Sequence, residues 1–115
     1  MQVPLEITGH HAYVSKRVEA LIEKKAVKLE RFYDRLTSCR VVIDKSARSQ
    51  NSGTPFKVRI HLGVPGQEIT IDRQQDTDLI AAVHAAFDAA TRKLQEYART
   101  RRGEVKTHSV STEQV

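Results

Sequence analysis

The 115-residue sequence has few of the features that cross-link small proteins or anchor them in membranes. It contains one cysteine and no tryptophan. Because there is only one cysteine, an internal disulfide is impossible, and the composition fits a reducing compartment. No apolar run approaches the roughly 18 residues that a membrane-spanning helix needs. The N-terminus, MQVPLEITGHH, lacks the basic start and apolar stretch of a signal peptide. These absences predict a cytoplasmic protein with no membrane partner.

Residues with catalytic or metal-binding chemistry are also scattered. The five histidines have no i, i+4 partner and no cysteine neighbour, whereas a metal site needs at least three converging ligands. No serine or cysteine lies in a nucleophile motif, and no glycine-rich nucleotide-binding pattern is present. Cys39 is typical of a small core residue. The sequence predicts that the protein is not an enzyme and that it binds no metal, cofactor or small-molecule substrate.

What the sequence does have is a surplus of basic residues. Nineteen lysines and arginines against fourteen acidic residues give a net charge of +5, with a pI near 9.6. A surplus of this size fits a polyanionic partner or simply a basic protein, and does not decide between them.

The periodicity of apolar residues predicts a single α+β domain. Each predicted strand alternates apolar and polar residues, and each predicted helix has one apolar stripe. Both helices should therefore pack on one face of a four-stranded sheet, as a two-layer sandwich. The first two strands, joined by a helix, should be parallel. The predicted order is β-α-β-β-β-α, with strands near 3–8, 39–45, 56–62 and 67–73 and helices over 15–36 and 79–102.

Two segments fall outside this pattern. Residues 46–55 are rich in serine and lack apolar periodicity, which predicts a mobile loop between the second and third strands. Residues 103–115 are polar and aperiodic, and we expect a disordered tail. The predicted domain is therefore 1–102.

The first helix separates its positive charges from its negative charges. At about 100° per residue, its basic side chains fall along one flank of the apolar stripe and its carboxylates along the other. Such stripes are usually solvated faces. The basic flank consists of Arg17, Lys24, Lys28, Arg31 and Arg35; the acidic flank consists of Glu19, Glu23, Glu30 and Asp34.

A second basic cluster lies in the C-terminal half of the second helix: Arg92, Lys93, Arg99, Arg101 and Arg102. Cations there also suit the helix dipole, which is a purely structural motive. Because the predicted fold lays the helices side by side, we predict that both clusters form one positive surface suited to phosphate backbones. Most of the few aromatic residues have the spacing of core positions, which favours folded RNA over stacked single strands.

Several segments, in unbroken order, resemble one family. The resemblance is to the ribosome hibernation-promoting and ribosome-associated translation inhibitor proteins, also called sigma-54 modulation proteins, and it extends from about residue 3 to 102. The matching segments are ITGHH (7–11) followed by Ser15, KLERFYDRL (28–36), VVI (41–43), DLIAAV (78–83) and RKL (92–94).

The resemblance implies a fold akin to double-stranded RNA-binding domains and no enzymatic activity. It also implies binding to the small ribosomal subunit, in the channel for messenger and transfer RNA, with inhibition of translation by occlusion. Lys25, Lys28, Arg31, Arg35 and Arg92 match basic positions of the family. Together with the charge pattern, the predicted RNA-binding residues are Arg17, Lys24, Lys25, Lys28, Arg31, Arg35, Arg92, Lys93, Arg99, Arg101 and Arg102.

Two other functions remain open at this point. The older family name suggests a protein-interaction module that modulates sigma-54-type transcription, which would use the exposed sheet face with Arg40, Lys57, Arg59 and His61. A general binder of double-stranded RNA would instead recognise any long duplex with similar affinity.

Overall fold

The computed structural model confirms the predicted element order. It describes residues 3–45 and 55–108, without the side chains of residues 73, 74 and 101–108. The elements are β1 (Leu5–His10), α1 (Lys16–Phe32), β2 (Ser38–Lys45), β3 (Phe56–Val64), β4 (Gln67–Asp76) and α2 (Leu79–His108).

The four strands form one sheet in the order β1-β2-β3-β4. β1 pairs with β2 in parallel, as the helical crossover requires. The β2–β3 and β3–β4 pairs are antiparallel. Pro65 and Gly66 connect β3 to β4, and Gly66 has a φ of +84°, the conformation that a type II turn with proline before glycine requires at its third residue.

One apolar core lies between the sheet and the two helices, so the predicted two-layer α+β sandwich is confirmed. The sheet contributes alternate residues from β2, β3 and β4, such as Val41 and Ile60, which are completely buried. From α1 the buried residues are Val18, Ile22, Ala26 and Leu29, and from α2 they include Ala82, Val83, Ala86, Phe87, Ala90 and Leu94.

The predicted start of α1 is confirmed and its predicted end is wrong. The Ser15 hydroxyl accepts a hydrogen bond from the Val18 N–H at 3.2 Å, which caps the first turn. The helix stops at Phe32, because Tyr33 adopts an extended conformation with φ −136° and ψ 102°. Leu36, which the periodicity placed on the helix, lies instead in the segment that leads into β2, where it is buried.

Other boundaries also differ from the prediction. β1 continues through Gly9 to His10, and the chain turns at His11, whose φ is +58°. α2 runs to His108, six residues beyond its predicted end near residue 102. The predicted mobile loop, apart from Pro55, lies outside the described residues. The last seven residues of the predicted tail lie outside them as well.

Candidate nucleic-acid interface

The strand directions bring the C-terminal ends of both helices to the same end of the sheet. β1, β2 and β4 run in one direction and β3 in the other. Each helix returns against the strand that precedes it, so α1 and α2 run parallel to each other. Their C-terminal halves therefore lie beside the turn between β3 and β4, and the basic residues of both helices are concentrated there.

Two tyrosines fix this arrangement. Tyr33, the residue after α1, meets Tyr97 of α2 edge to face, with ring centroids 5.7 Å apart and an interplanar angle of 86°. The Tyr97 hydroxyl donates a hydrogen bond to the Pro65 carbonyl at 3.1 Å. The end of α1, α2 and the β3–β4 turn are thus held together by one buried side chain.

The basic flank of α1 faces solvent. Arg17, Lys24, Lys28 and Arg31 are all exposed. Within the described part of the chain, none of the four has a carboxylate within 4 Å. Lys24, Lys28 and Arg31 follow one another at spacings of four and three residues, which sets like charges against one another and costs a helix a few tenths of a kcal/mol per pair. Stability of the helix therefore does not account for the stripe.

The acidic flank of α1 is turned the other way, toward β1. The Glu30 carboxylate accepts a hydrogen bond from the Val3 N–H at 3.2 Å, and Glu19 and Glu23 line a groove beside Leu5. The buried stripe of α1 lies between its two flanks. Since the acidic flank faces β1, which is at the sheet edge, the basic flank is the one tilted toward α2.

α2 contributes fewer residues to this surface than the sequence predicts. Arg92 and Arg99 are exposed and two turns apart, so they share the solvent face opposite the buried stripe. Lys93 points to the other side of α2, where its ammonium donates to the Thr70 carbonyl of β4 at 3.3 Å. Lys93 and α1 therefore lie on opposite sides of α2.

Lys25 and Arg35 differ from the prediction in their placement, and two other predicted residues have no described side chain. Lys25 is half-buried and lies nearer the apolar stripe than the basic flank. Arg35 is exposed but follows the end of α1, so it extends the stripe only as part of the turn after the helix. Arg101 and Arg102 belong to α2 by their backbone, and their side chains are not among those described.

The sequence missed one aromatic residue beside the basic surface. Phe32, assigned by its spacing to the apolar stripe, is 47% exposed because α1 ends there. It lies next to Arg31 in the chain. Exposed aromatic rings can stack on nucleic-acid bases. Tyr13, 83% exposed at the other end of α1, is a second such ring.

On the opposite face of the sheet, two of the candidate residues already have partners among the described side chains. Arg59 Nε lies 3.0 Å from the Asp72 carboxylate. His61 Nδ1 lies 3.4 Å from the Thr70 hydroxyl and 3.7 Å from a Glu68 carboxylate oxygen. Two of the four residues that the alternative function would use are therefore engaged by neighbours on the same sheet.

Reactive groups are not assembled into a site in the described residues. No three histidine, cysteine, aspartate or glutamate side chains there group together as a metal ion would need. Burial raises the pKa of the Cys39 thiol from 9.0 to about 12, so it stays protonated and a poor nucleophile. None of the helices, over the part of the chain described, is long and apolar enough to span a bilayer.

Comparison with known proteins identifies the family. Residues 5–102 match the family described as sigma 54 modulation protein / S30EA ribosomal protein. The chain belongs to this family. A ribosome hibernation promoting factor from Azotobacter vinelandii is 31% identical over 94 residues, which cover 82% of this chain and 79% of that protein.

A more distant relative is longer than this chain. The ribosome hibernation promotion factor of Deinococcus radiodurans is 27% identical over 93 residues, covering 80% of this chain but 47% of that protein. The chain thus spans about half the length of this family member. A solved ribosomal subunit interface protein from Coxiella burnetii has the same fold, with a TM-score of 0.72 and 18% identity over 84% of this chain and 99% of its own.

Family membership confirms the resemblance seen in the sequence. The matched region contains all of α1 and α2 through residue 102, and so every residue of the predicted basic surface. The family is one of ribosome-associated proteins rather than a class of enzymes.

Proposed function

We propose that this chain binds the small ribosomal subunit in the channel for messenger and transfer RNA and silences translation by occupying it. The observation that carries the proposal is the exposed basic flank of α1, unpaired within the described residues and tilted toward α2, the helix that exposes Arg92 and Arg99. Support comes from the family, since the Azotobacter and Deinococcus relatives are named as ribosome hibernation factors. We propose a cytoplasmic location as well, which a ribosome-associated role implies.

The proposed contacts are mainly electrostatic. Each phosphate that a lysine or arginine neutralises releases counterions, so affinity falls steeply as salt rises. Phosphate contacts position a protein without reading sequence, which suits a rigid surface that recognises the shape of folded RNA. Arg17, Lys24, Lys28, Arg31, Arg35, Arg92 and Arg99 are the proposed contacts, with Arg101 and Arg102 extending them along α2. Lys25 and Lys93 are placed at the margins.

Silencing by this route needs no catalysis. A bound protein and a bound messenger or initiator transfer RNA would exclude each other sterically, so inhibition should depend on which arrives first. We propose that residues 1–102 suffice for this activity and that no metal, cofactor or small-molecule substrate takes part.

An order-of-addition experiment tests the proposal. Small subunits are incubated with the protein before or after messenger and initiator transfer RNA, and formation of the initiation complex is measured. Inhibition when the protein is added first, relieved when the RNAs are bound first, is the expected result. Equal inhibition in both orders, measured before the component bound first has had time to dissociate, would contradict occlusion. A long RNA duplex added as competitor distinguishes a general duplex binder, which it would titrate away.

The transcriptional alternative has weaker support in the structure. It would use the exposed sheet face, where Arg59 and His61 are engaged by Asp72 and Glu68. The family description retains sigma 54 modulation, but the related proteins described above are named for the ribosome.

A further inference from the structure

A groove runs along the opposite flank of α1, away from the basic surface. It lies between α1 and the edge strand β1 and has a volume of about 680 Å³. Leu5, Ile7 and Val27 line it with apolar surface, and all three are only half-buried. Glu19 and Glu23 of α1 also line it.

Among the described residues, no strand pairs with the outer side of the β1 backbone, beside this groove. β1 is at the edge of the sheet, with β2 as its neighbour. The Cys39 N–H donates to the Pro4 carbonyl at 3.0 Å, so the even-numbered residues of β1 face β2 in the parallel ladder. The N–H and C=O groups of Leu5, Ile7 and Gly9 therefore point outward, where a further strand can pair with them.

The two carboxylates at the groove have no cation in the described structure. Glu30 on the same flank is bonded to the Val3 N–H, but Glu19 and Glu23 are exposed and no basic group lies within 4 Å of either among the described side chains. Glu19 suits the N-terminal turn of α1, whereas Glu23 lies beyond it. One helical turn apart, the two like charges disfavour the free helix.

We propose that this groove binds an extended, basic protein segment that adds a strand to β1 through main-chain hydrogen bonds. Same-face residues of a strand are about 6.7 Å apart, close to the 5–6 Å that separates side chains one helical turn apart. Lysines or arginines at alternate positions would lay their aliphatic stems over Leu5 and Ile7. Their charged ends would then reach Glu19 and Glu23.

Charge decides against other occupants. RNA would be repelled by the two carboxylates. A second copy of this chain adding its own β1 would bring no lysine or arginine, since that strand reads LEITGH, and would set a second pair of glutamates beside the first. A basic segment of another protein meets both the carboxylates and the open strand edge. This second interface is independent of the proposed contact with RNA.

Fluorescence anisotropy with a labelled peptide, Thr-Lys-Thr-Lys-Thr-Lys-Thr, tests the proposal on the 115-residue chain at low salt. We expect saturable binding, weakened about two- to thirtyfold by E19Q/E23Q, the range for two exposed ion pairs. The matched control, D88N/E96Q, removes two exposed carboxylates of α2 and should bind as the unaltered protein does. Circular dichroism checks that both variants fold.

Two N-methylated peptides test strand addition without altering the protein. One carries the methyl groups on the lysine nitrogens and the other on the threonine nitrogens, so charge is unchanged. One of the two must lose binding, because it lacks the N–H groups that face β1, and which one reports the strand direction. Binding by both as tight as by the unmodified peptide, or equal loss of affinity in E19Q/E23Q and D88N/E96Q, would overturn the proposal. Slowed exchange of the Ile7 amide in the complex would support it directly.

Discussion

Neutralising three cations on the basic flank of α1 should change how RNA binding depends on salt. The triple variant K24Q/K28Q/R31Q removes three exposed charges that have no carboxylate within 4 Å in the described chain. Affinity falls with salt, so the slope of log affinity against log salt is negative. Each lost phosphate contact makes this slope less steep by about 0.7 to 0.9, and three lost contacts make it less steep by about 2.1 to 2.7. Between 50 and 200 mM KCl, the unaltered protein should therefore lose roughly 20- to 40-fold more affinity than the variant.

The assay is binding of the fluorescently labelled protein to purified small subunits at several KCl concentrations. The matched control, R40Q/K57Q/R59Q, removes three cations from the sheet face, so both variants have the same net charge. Folding should be unimpaired in the helix variant, because the substitutions relieve like-charge pairs. An unchanged salt slope in K24Q/K28Q/R31Q, or an equal fall in the control, would refute the assignment of the interface to α1.

Three further predictions concern the fold. Ser15→Ala removes the hydroxyl that caps α1 at Val18 and should lower the free energy of unfolding by about 1 kcal/mol in guanidinium titration; an unchanged midpoint would contradict the cap. Tyr97→Phe leaves the Pro65 carbonyl without its donor and should cost about 0.5–1.5 kcal/mol in urea, whereas no loss would mean that the bond contributes nothing. The Cys39 thiol has a folded pKa of about 12 against 9.0 ordinarily, so above pH 9 the unfolded chain releases this proton first and stability falls by up to about 1.4 kcal/mol per pH unit. Cys39→Ala should lack this component when urea unfolding is compared from pH 8 to 11, and identical pH dependence in both proteins would refute it.

Local signals predicted most of the fold. The alternation of apolar and polar residues in β3 and the capping serine before α1 can each be recognised from neighbouring residues alone. The structure confirms both. The end of α1 could not be predicted in this way, since Leu36 continues the helical spacing and is buried. What ends the helix is the extended backbone of Tyr33, whose ring contacts a residue 64 positions away, and no local pattern reveals such a contact.

The candidate surface was predictable in composition but not in shape. Helical spacing correctly grouped Arg17, Lys24, Lys28 and Arg31 on one exposed flank. It could not show that Lys93 faces β4, because that depends on which strand lies beneath each side of α2. It also could not show which flank of α1 faces β1, since the hydrogen bond between Glu30 and Val3 is a tertiary feature.

Co-sedimentation with separated small and large ribosomal subunits across a salt series tests the central claim most directly. The account predicts that the protein pellets with the small subunit at low salt, is released steeply as salt rises, and does not pellet comparably with the large subunit. Failure of the folded protein to pellet with the small subunit at any salt concentration, or equal association with both subunits, would contradict it.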